Sequence, residues 1–234
     1  MRATVPAALH LFCVLLVVSC RQPEATDDAG PLPAFHLAFR SGDRFQSDGW
    51  RTASYGFVVD STRRRHTQDV ITTSGQAGGA SDVIVIADSA VTVRTGQTAR
   101  DTIYLRLTGG GNLLQYGLLS GLVKKREGRE IPKRWDVAYE AGSSTWTVGS
   151  VDAAGTEKVI ASVNGTPEYF QVALNTNPTL VPAYRISMSG SKLDFYVWIS
   201  DSPTCFPRVQ EESEPLAGIP YGERRLLTDR ISPP

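Results

Sequence analysis

The feature that most limits how this chain can fold is a series of short, alternating apolar runs set at regular intervals. Ile103, Leu105 and Leu107 alternate with Thr102, Tyr104 and Arg106. A two-residue period puts the first set on one face of a strand and the second on the other. Six comparable runs follow: 137–139, 145–151, 159–163, 169–174, 184–188 and 193–200. Gly, Asn, Pro and Ser separate them at spacings of about 8–14 residues, the spacing of a β-meander or barrel and not of βαβ units. The fold class expected is therefore all-β: a curved antiparallel sheet, an open barrel, half-barrel or sandwich, with at most one or two short helices.

Upstream, Tyr55, Phe57 and Val59 alternate, and residues 60–67 (Asp-Ser-Thr-Arg-Arg-Arg-His-Thr) read as the turn after them. This makes Arg63-Arg64-Arg65 a solvated hairpin tip. Residues 68–73 then form the return strand, and the glycine-rich stretch 74–81 reads as a flexible loop. Val83-Ile84-Val85-Ile86 is apolar on both parities, so it belongs to a strand covered on both faces. The three glycines at 109–111 favour a hairpin leading into 113–116. Leu114, Leu118 and Leu122 also fit i, i+4 spacing, so a short helix over about 113–126, ended near Gly128, competes with it. From Asp201 the prolines and Glu211-Glu212-Ser213-Glu214 suggest an extended C-terminal segment packing on the domain, with one short strand near Arg224–Leu227.

The amino terminus follows a different logic. Met1-Arg2 precedes an apolar run from Ala7 to Val18, interrupted by His10. A run of about 12 residues falls short of the roughly 20 that span a bilayer, and the layout is that of a removed secretory signal. It ends Leu16-Val17-Val18-Ser19-Cys20. This resembles the lipobox of bacterial lipoproteins, over the first 20 residues only. The resemblance implies that Cys20 carries a diacylglyceryl thioether, that residues 1–19 are removed, and that the new amine is acylated. Several chains are needed because one gives only marginal binding, at about 0.8 kcal/mol per buried CH₂. Residue 21 is Arg and not the Asp that favours inner-membrane retention in enteric-type lipoproteins, which leans the location towards the outer membrane. Residues 20–34, with three prolines and adjacent acids, read as a flexible tether able to reach roughly 50 Å when stretched. Residues 35–200 are the β-rich domain and 201–234 the C-terminal segment.

Removing 19 of 234 residues leaves 23 basic side chains against 24 acidic ones. A near-neutral chain gives no bulk electrostatic reason to bind nucleic acid. With Cys13 in the signal and Cys20 acylated, Cys205 is the remaining thiol and reads as a small apolar residue. The competing arrangement is a Cys20–Cys205 disulfide without lipid.

The search for catalytic chemistry finds little. His36 and His66 have no Cys, Asp or Glu partner at metal-ligand spacing, so no metal and no cofactor is expected. Gly109–Asn112 lacks the Lys-Ser/Thr of a phosphate loop, and Gly117–Gly121 misses the G-x-S-x-G spacing. Ser189-Gly-Ser-Lys192 matches S-x-x-K by letter but lies between two strands, where a tight turn explains it. Asn164-Gly-Thr166 likewise reads as a turn. In residues 195–199 both parities are apolar, so Tyr196 and Trp198 lie opposite Phe195, Val197 and Ile199. Together with Tyr104 they are the candidate lining of an apolar ligand site. The function expected is a lipid-anchored envelope protein that binds an apolar ligand or an envelope partner without catalysis. The alternatives are a structural component of an envelope complex, and a glycan hydrolase using carboxylates such as Glu211 and Glu212.

Overall fold

Arg63-Arg64-Arg65 lies inside the longest strand of the protein. In the computed structural model, which describes residues 38–53, 57–190, 193–200, 210–213 and 222–233, strand β2 runs unbroken from Val58 to Ala77. The expected turn at 60–67 is therefore replaced by strand, and the reversal from β1 (Arg44–Thr52) falls before Phe57, whose carbonyl accepts from Ala53 N at 2.8 Å. Three consecutive arginines are tolerated because β2 is paired on both edges: Arg64 and Arg65 pair with Gly49 and Asp48 on one side and with Thr92 and Val91 on the other. Arg63 is held on the outer face by Asp48 at 2.5 Å and lies over the Trp50 ring.

The glycine-rich stretch 74–81 is also not a loop. Strand β2 continues to Ala77 and β3 (Ala80–Thr92) begins after two residues. Gly78 and Gly79 have φ of 53° and 75°, the double left-handed turn that suits the twist of a hairpin. Gly75 has another reason: a Cβ there would lie 2.6 Å from Val85 Cγ2. Register shifts between Val70/Thr72, Thr72/Gly75 and Gly75/Ala77 bend this long hairpin, as bulges do.

The remaining strands are β4 (Thr98–Leu107), β5 (Leu113–Tyr116), β6 (Trp135–Tyr139), β7 (Thr145–Ser150), β8 (Lys158–Val163), β9 (Glu168–Leu174), β10 (Asn177–Gly190), β11 (Leu193–Ser200), β12 (Gln210–Ser213) and β13 (Gly222–Ile231). The two readings of 113–126 each describe part of the chain. Leu113–Tyr116 is a strand, and helix α1 (Leu118–Glu127) follows, entered through Gly117 and stopped at Gly128, both in the left-handed region. The protein is all-β with one short helix among the described residues.

The thirteen strands of the described residues join one sheet, ordered β6-β5-β4-β3-β2-β1-β13-β12-β11-β10-β8-β7, with β9 off this path beside β10 and β13. Its two end strands, β6 and β7, meet without a backbone ladder. Trp146 Nε1 donates to Val137 O at 2.9 Å, and Tyr139 and Trp146 touch edge to face. Helix α1 lies across this seam on the concave side: Leu119 N donates to Asp136 Oδ2 at 2.9 Å, while Leu118, Leu119 and Val123 join the core with Phe45, Ile86, Leu105, Val148 and Val197. At Gly149 of β7 a Cβ would come within 2.8 Å of Asp136 and 2.9 Å of Leu119, so the seam closes only because that residue is glycine.

The C-terminal segment, expected as one short strand on the surface, supplies β12 and β13. Strand β13 sits mid-sheet, paired with β1 on one edge and with β12 and then β9 on the other. Because β9 also pairs with β10, strands β13, β12, β11, β10 and β9 form a closed ring of hydrogen-bonded neighbours within the larger sheet. The β9–β13 contact is its one parallel pairing. Pro178 and Pro182 fall where β10 is paired on one edge only, where a missing N–H does no harm.

Candidate functional site

Two clusters of polar chemistry come from this topology. The first lies on the concave face of β13, β1, β2 and β3. Directly paired residues share a face, and Ser47 pairs with His66, Gln68 with Asp88, and Gly49 with Arg225. This sets Ser47, His66, Gln68, Asp88 and Arg225 beside Phe45, Val70 and Ile86. Arg225 Nε donates to Ser47 Oγ at 2.7 Å and its NH1 donates to Asp88 Oδ2 at 3.3 Å. His66 Nδ1 lies 3.5 Å from Asp88 Oδ1. Burial pushes the Asp88 carboxyl up, but the contact with His66 and the charges of Arg225 and His66 outweigh it and hold it below its ordinary value.

A serine, a histidine and an aspartate therefore stand on three adjacent strands, but not as a nucleophilic triad. The triad needs the second imidazole nitrogen on the hydroxyl. Here the Ser47 hydroxyl is engaged by Arg225, and His66 Nε2 abuts Gly49, where a Cβ would lie 3.2 Å away. Asp101 is the direct cross-strand partner of Asp88, which offers two carboxylates at short range. Glycoside hydrolysis needs one carboxyl protonated and the other ionised; Asp88, held below its ordinary value, suits only the ionised role. Among the described residues no group of three or more His, Cys, Asp or Glu could hold a metal ion.

The second cluster belongs to the five-stranded ring. Phe170 of β9 pairs with Val181, and Arg185 of β10 pairs with Trp198, so these side chains share the face opposite Val197 and Ile199. The Phe170 and Trp198 rings meet edge to face with centroids 6.2 Å apart, although their strands are separated by β10. Tyr196 lies 6.4 Å from Trp198, and the Arg185 guanidinium sits 5.6 Å over the Tyr196 ring. Trp198 is 5% exposed, yet its Nε1 has no hydrogen-bond acceptor, and neither does the buried Nε of Arg185. Leaving a buried donor unsatisfied costs about 1–3 kcal/mol, and two such donors lie in this one aromatic cluster.

No family model matches the chain, and no curated protein matches it. A solved structure to which it is similar is that of a candidate exported protein with a YmcC-like fold from Bacteroides fragilis. The two share 11% identity, the match covers 85% of this chain and 99% of that one, and the TM-score is 0.43.

Of the residues singled out from the sequence, Cys20, Cys205 and His36 lie outside the described residues, as do the side chains of Glu211 and Glu212. The structure brings Tyr196 and Trp198 side by side but places Tyr104 elsewhere. Tyr104 stacks edge to face on Tyr116, which touches Trp135, and the indole of Trp135 donates to Gly78 O at the tip of the β2–β3 hairpin. Sequence reasoning missed Arg185, Phe170 and Arg225. Arg225 is 137 residues from Asp88 and meets it only because β13 returns to the middle of the sheet. The available signal was the charge at 88 interrupting an alternating apolar run. Asn164 accepts from Thr166 N through Oδ1 at 3.2 Å, the turn expected there; of Ser189–Lys192, Ser189 and Gly190 end β10, and residues 191 and 192 lie outside the described residues.

Proposed function

We propose that the chain is a lipid-anchored cell-envelope protein, held in the outer membrane through Cys20, whose β domain binds an apolar ligand without catalysis. The Leu16–Cys20 motif supports the anchor. The observation that carries the binding role is the Trp198 cluster, where an aromatic wall ends in two buried donors without acceptors. A ligand of matching chemistry has an apolar body and one hydrogen-bond-accepting head, which Trp198 Nε1 and Arg185 Nε receive. Tyr196 closes the cluster against the arginine.

Two measurements test the parts separately. Intact mass of the protein purified from its native membrane is expected to show residues 1–19 removed and a diacylglyceryl group plus an acyl chain added. An intact mass in which Cys20 carries no lipid sinks the anchor. For the ligand, indole emission is expected to change on titration with a long-chain fatty acid, and to lose that change in Trp198→Phe. A titration in which Trp198→Phe behaves like the native chain sinks the binding role.

A further inference from the structure

The end of the sheet around the start of β2 and the end of β3 carries a surface that the lipid anchor does not explain. Residues 48–65 and 91–100 contain six arginines and two aspartates, with no lysine or glutamate, in a chain whose formal net charge is zero. Asp48 is already paired with Arg63. Arg65, Arg94 and Arg100 are exposed and make no ion pair among the described residues. Among the described residues, four of the nine exposed large apolar side chains lie at this end of the sheet: Phe57 at 71%, Val93 at 52%, Val91 at 40% and Val58 at 38%.

Strand pairing makes this one surface. Val91 pairs with Arg65 on one side and Thr98 on the other, and Arg100 pairs with Ser89, two residues before Val91. Val93 N donates to Arg63 O at 2.9 Å, and Val58 pairs with Thr52 at the adjoining tip. Exposed aliphatic side chains are thus ringed by cations. Nucleic acid is read with cations and flat stacking rings; here Arg63 lies over the Trp50 ring, Phe57 is the one exposed ring among the described residues of this face, and the other three exposed apolar side chains are valines, which do not stack on bases. Aliphatic side chains between arginines match the boundary between acyl chains and anionic headgroups.

We propose that this face, centred on Arg65, Val91, Val93 and Arg94 and edged by Phe57 and Arg100, docks on an anionic lipid surface. It binds independently of acylation, so its test stands whether or not Cys20 carries lipid. If the anchor is present, residues 20–37 reach up to roughly 60 Å when extended, about twice the roughly 30 Å length of the nine-residue strand β1 that separates the chain entry from this face.

The test uses residues 20–234 with Cys20→Ser, sedimented with vesicles of phosphatidylglycerol and, separately, of phosphatidylcholine. Binding is expected on the first and not on the second, and is expected to weaken as salt rises. Reversing Arg65 and Arg94 together to Glu is expected to weaken binding by at least about twenty-five-fold, from roughly fivefold for each positive charge lost. Phe57→Ser with Val93→Ser removes exposed side chains only. It is expected to weaken vesicle binding while leaving the thermal midpoint and far-ultraviolet dichroism unchanged. Equal sedimentation with both vesicles overturns the proposal. So does vesicle binding that survives both pairs of changes, or heparin binding that matches vesicle binding and ignores the apolar pair.

Discussion

At the scale of single residues, the acids divide by what surrounds them. Asp136 is 1% exposed, receives Leu119 N on one oxygen, and has Arg134 3.6 Å from the other. Burial dominates and pushes its carboxyl up to about 6, against the pull of the Leu119 N–H and the Arg134 charge. An acid whose value is raised by folding stabilises the native state fully below the ordinary carboxyl value, and that contribution is lost as pH rises through about 6. Urea unfolding is expected to show stability falling by about 1–3 kcal/mol between pH 4 and 7 from this group. Asp136→Asn keeps an acceptor for Leu119 N and is expected to flatten the slope; an unchanged slope would place the titration elsewhere. Asp88 acts in the opposite sense, since its lowered value gives stability present above the ordinary carboxyl range and lost as pH falls through it. The Asp43–Arg230 pair is a different case: both side chains are buried, 2.8 Å apart, and they join the first strand to the last. Asp43→Ala takes a buried carboxylate from Arg230 and is expected to cost about 3–5 kcal/mol by denaturant titration.

At the scale of elements, helix α1 seals a seam that backbone pairing does not. Leu119 is fully buried between Asp136 and Gly149, so Leu119→Ala is expected to cost about 2–5 kcal/mol, measured as a shift in urea midpoint at constant slope. A cost below about 1 kcal/mol would mean the seam holds without the helix. The strands from β6 to β9 were legible because each is short, half-buried and bounded by turn residues, so its two-residue period survives in the sequence, whereas of the fourteen-residue β10 only 184–188 was read. Strand β2 was not, for a physical reason. Its arginines sit on a strand paired on both edges, where backbone bonds fix the extended form and the side chains need only a partner such as Asp48. Local composition therefore resembled a turn. The stretch 74–81 misled in the same way, because Gly75 answers a close approach by Val85 and only Gly78 and Gly79 turn the chain. The two polar clusters were illegible because their members meet through strand order. His66 and Asp88 lie on neighbouring strands, and Arg225 arrives from the far end of the chain.

At the scale of the whole molecule, the last strand lies beside the first. Arg44 pairs with Ile231 and Thr52 with Gly222, so β13 completes both the large sheet and the five-stranded ring. A Cβ on Gly42 would touch Pro233 at 3.3 Å, which brings the two ends of the β domain together. The first and last strands meet at β1 and β13, and the sheet is interrupted elsewhere, between β6 and β7. Those two places are exchangeable if strand pairing, and not chain order, holds the fold. A circular permutant that joins residue 233 to residue 42 through a short glycine linker, and opens the chain at 140–144, puts the new ends where no ladder exists. Exposed connections tolerate such opening when few contacts cross them. The permutant is expected to unfold in one cooperative transition within about 2 kcal/mol of the native chain. Opening the chain instead within residues 177–182 severs β10 where β9 ties it into the ring, and is expected to abolish that transition. If both permutants unfold alike, the ring is not the structural centre of the sheet, and the role of β13 reduces to its pairing with β1.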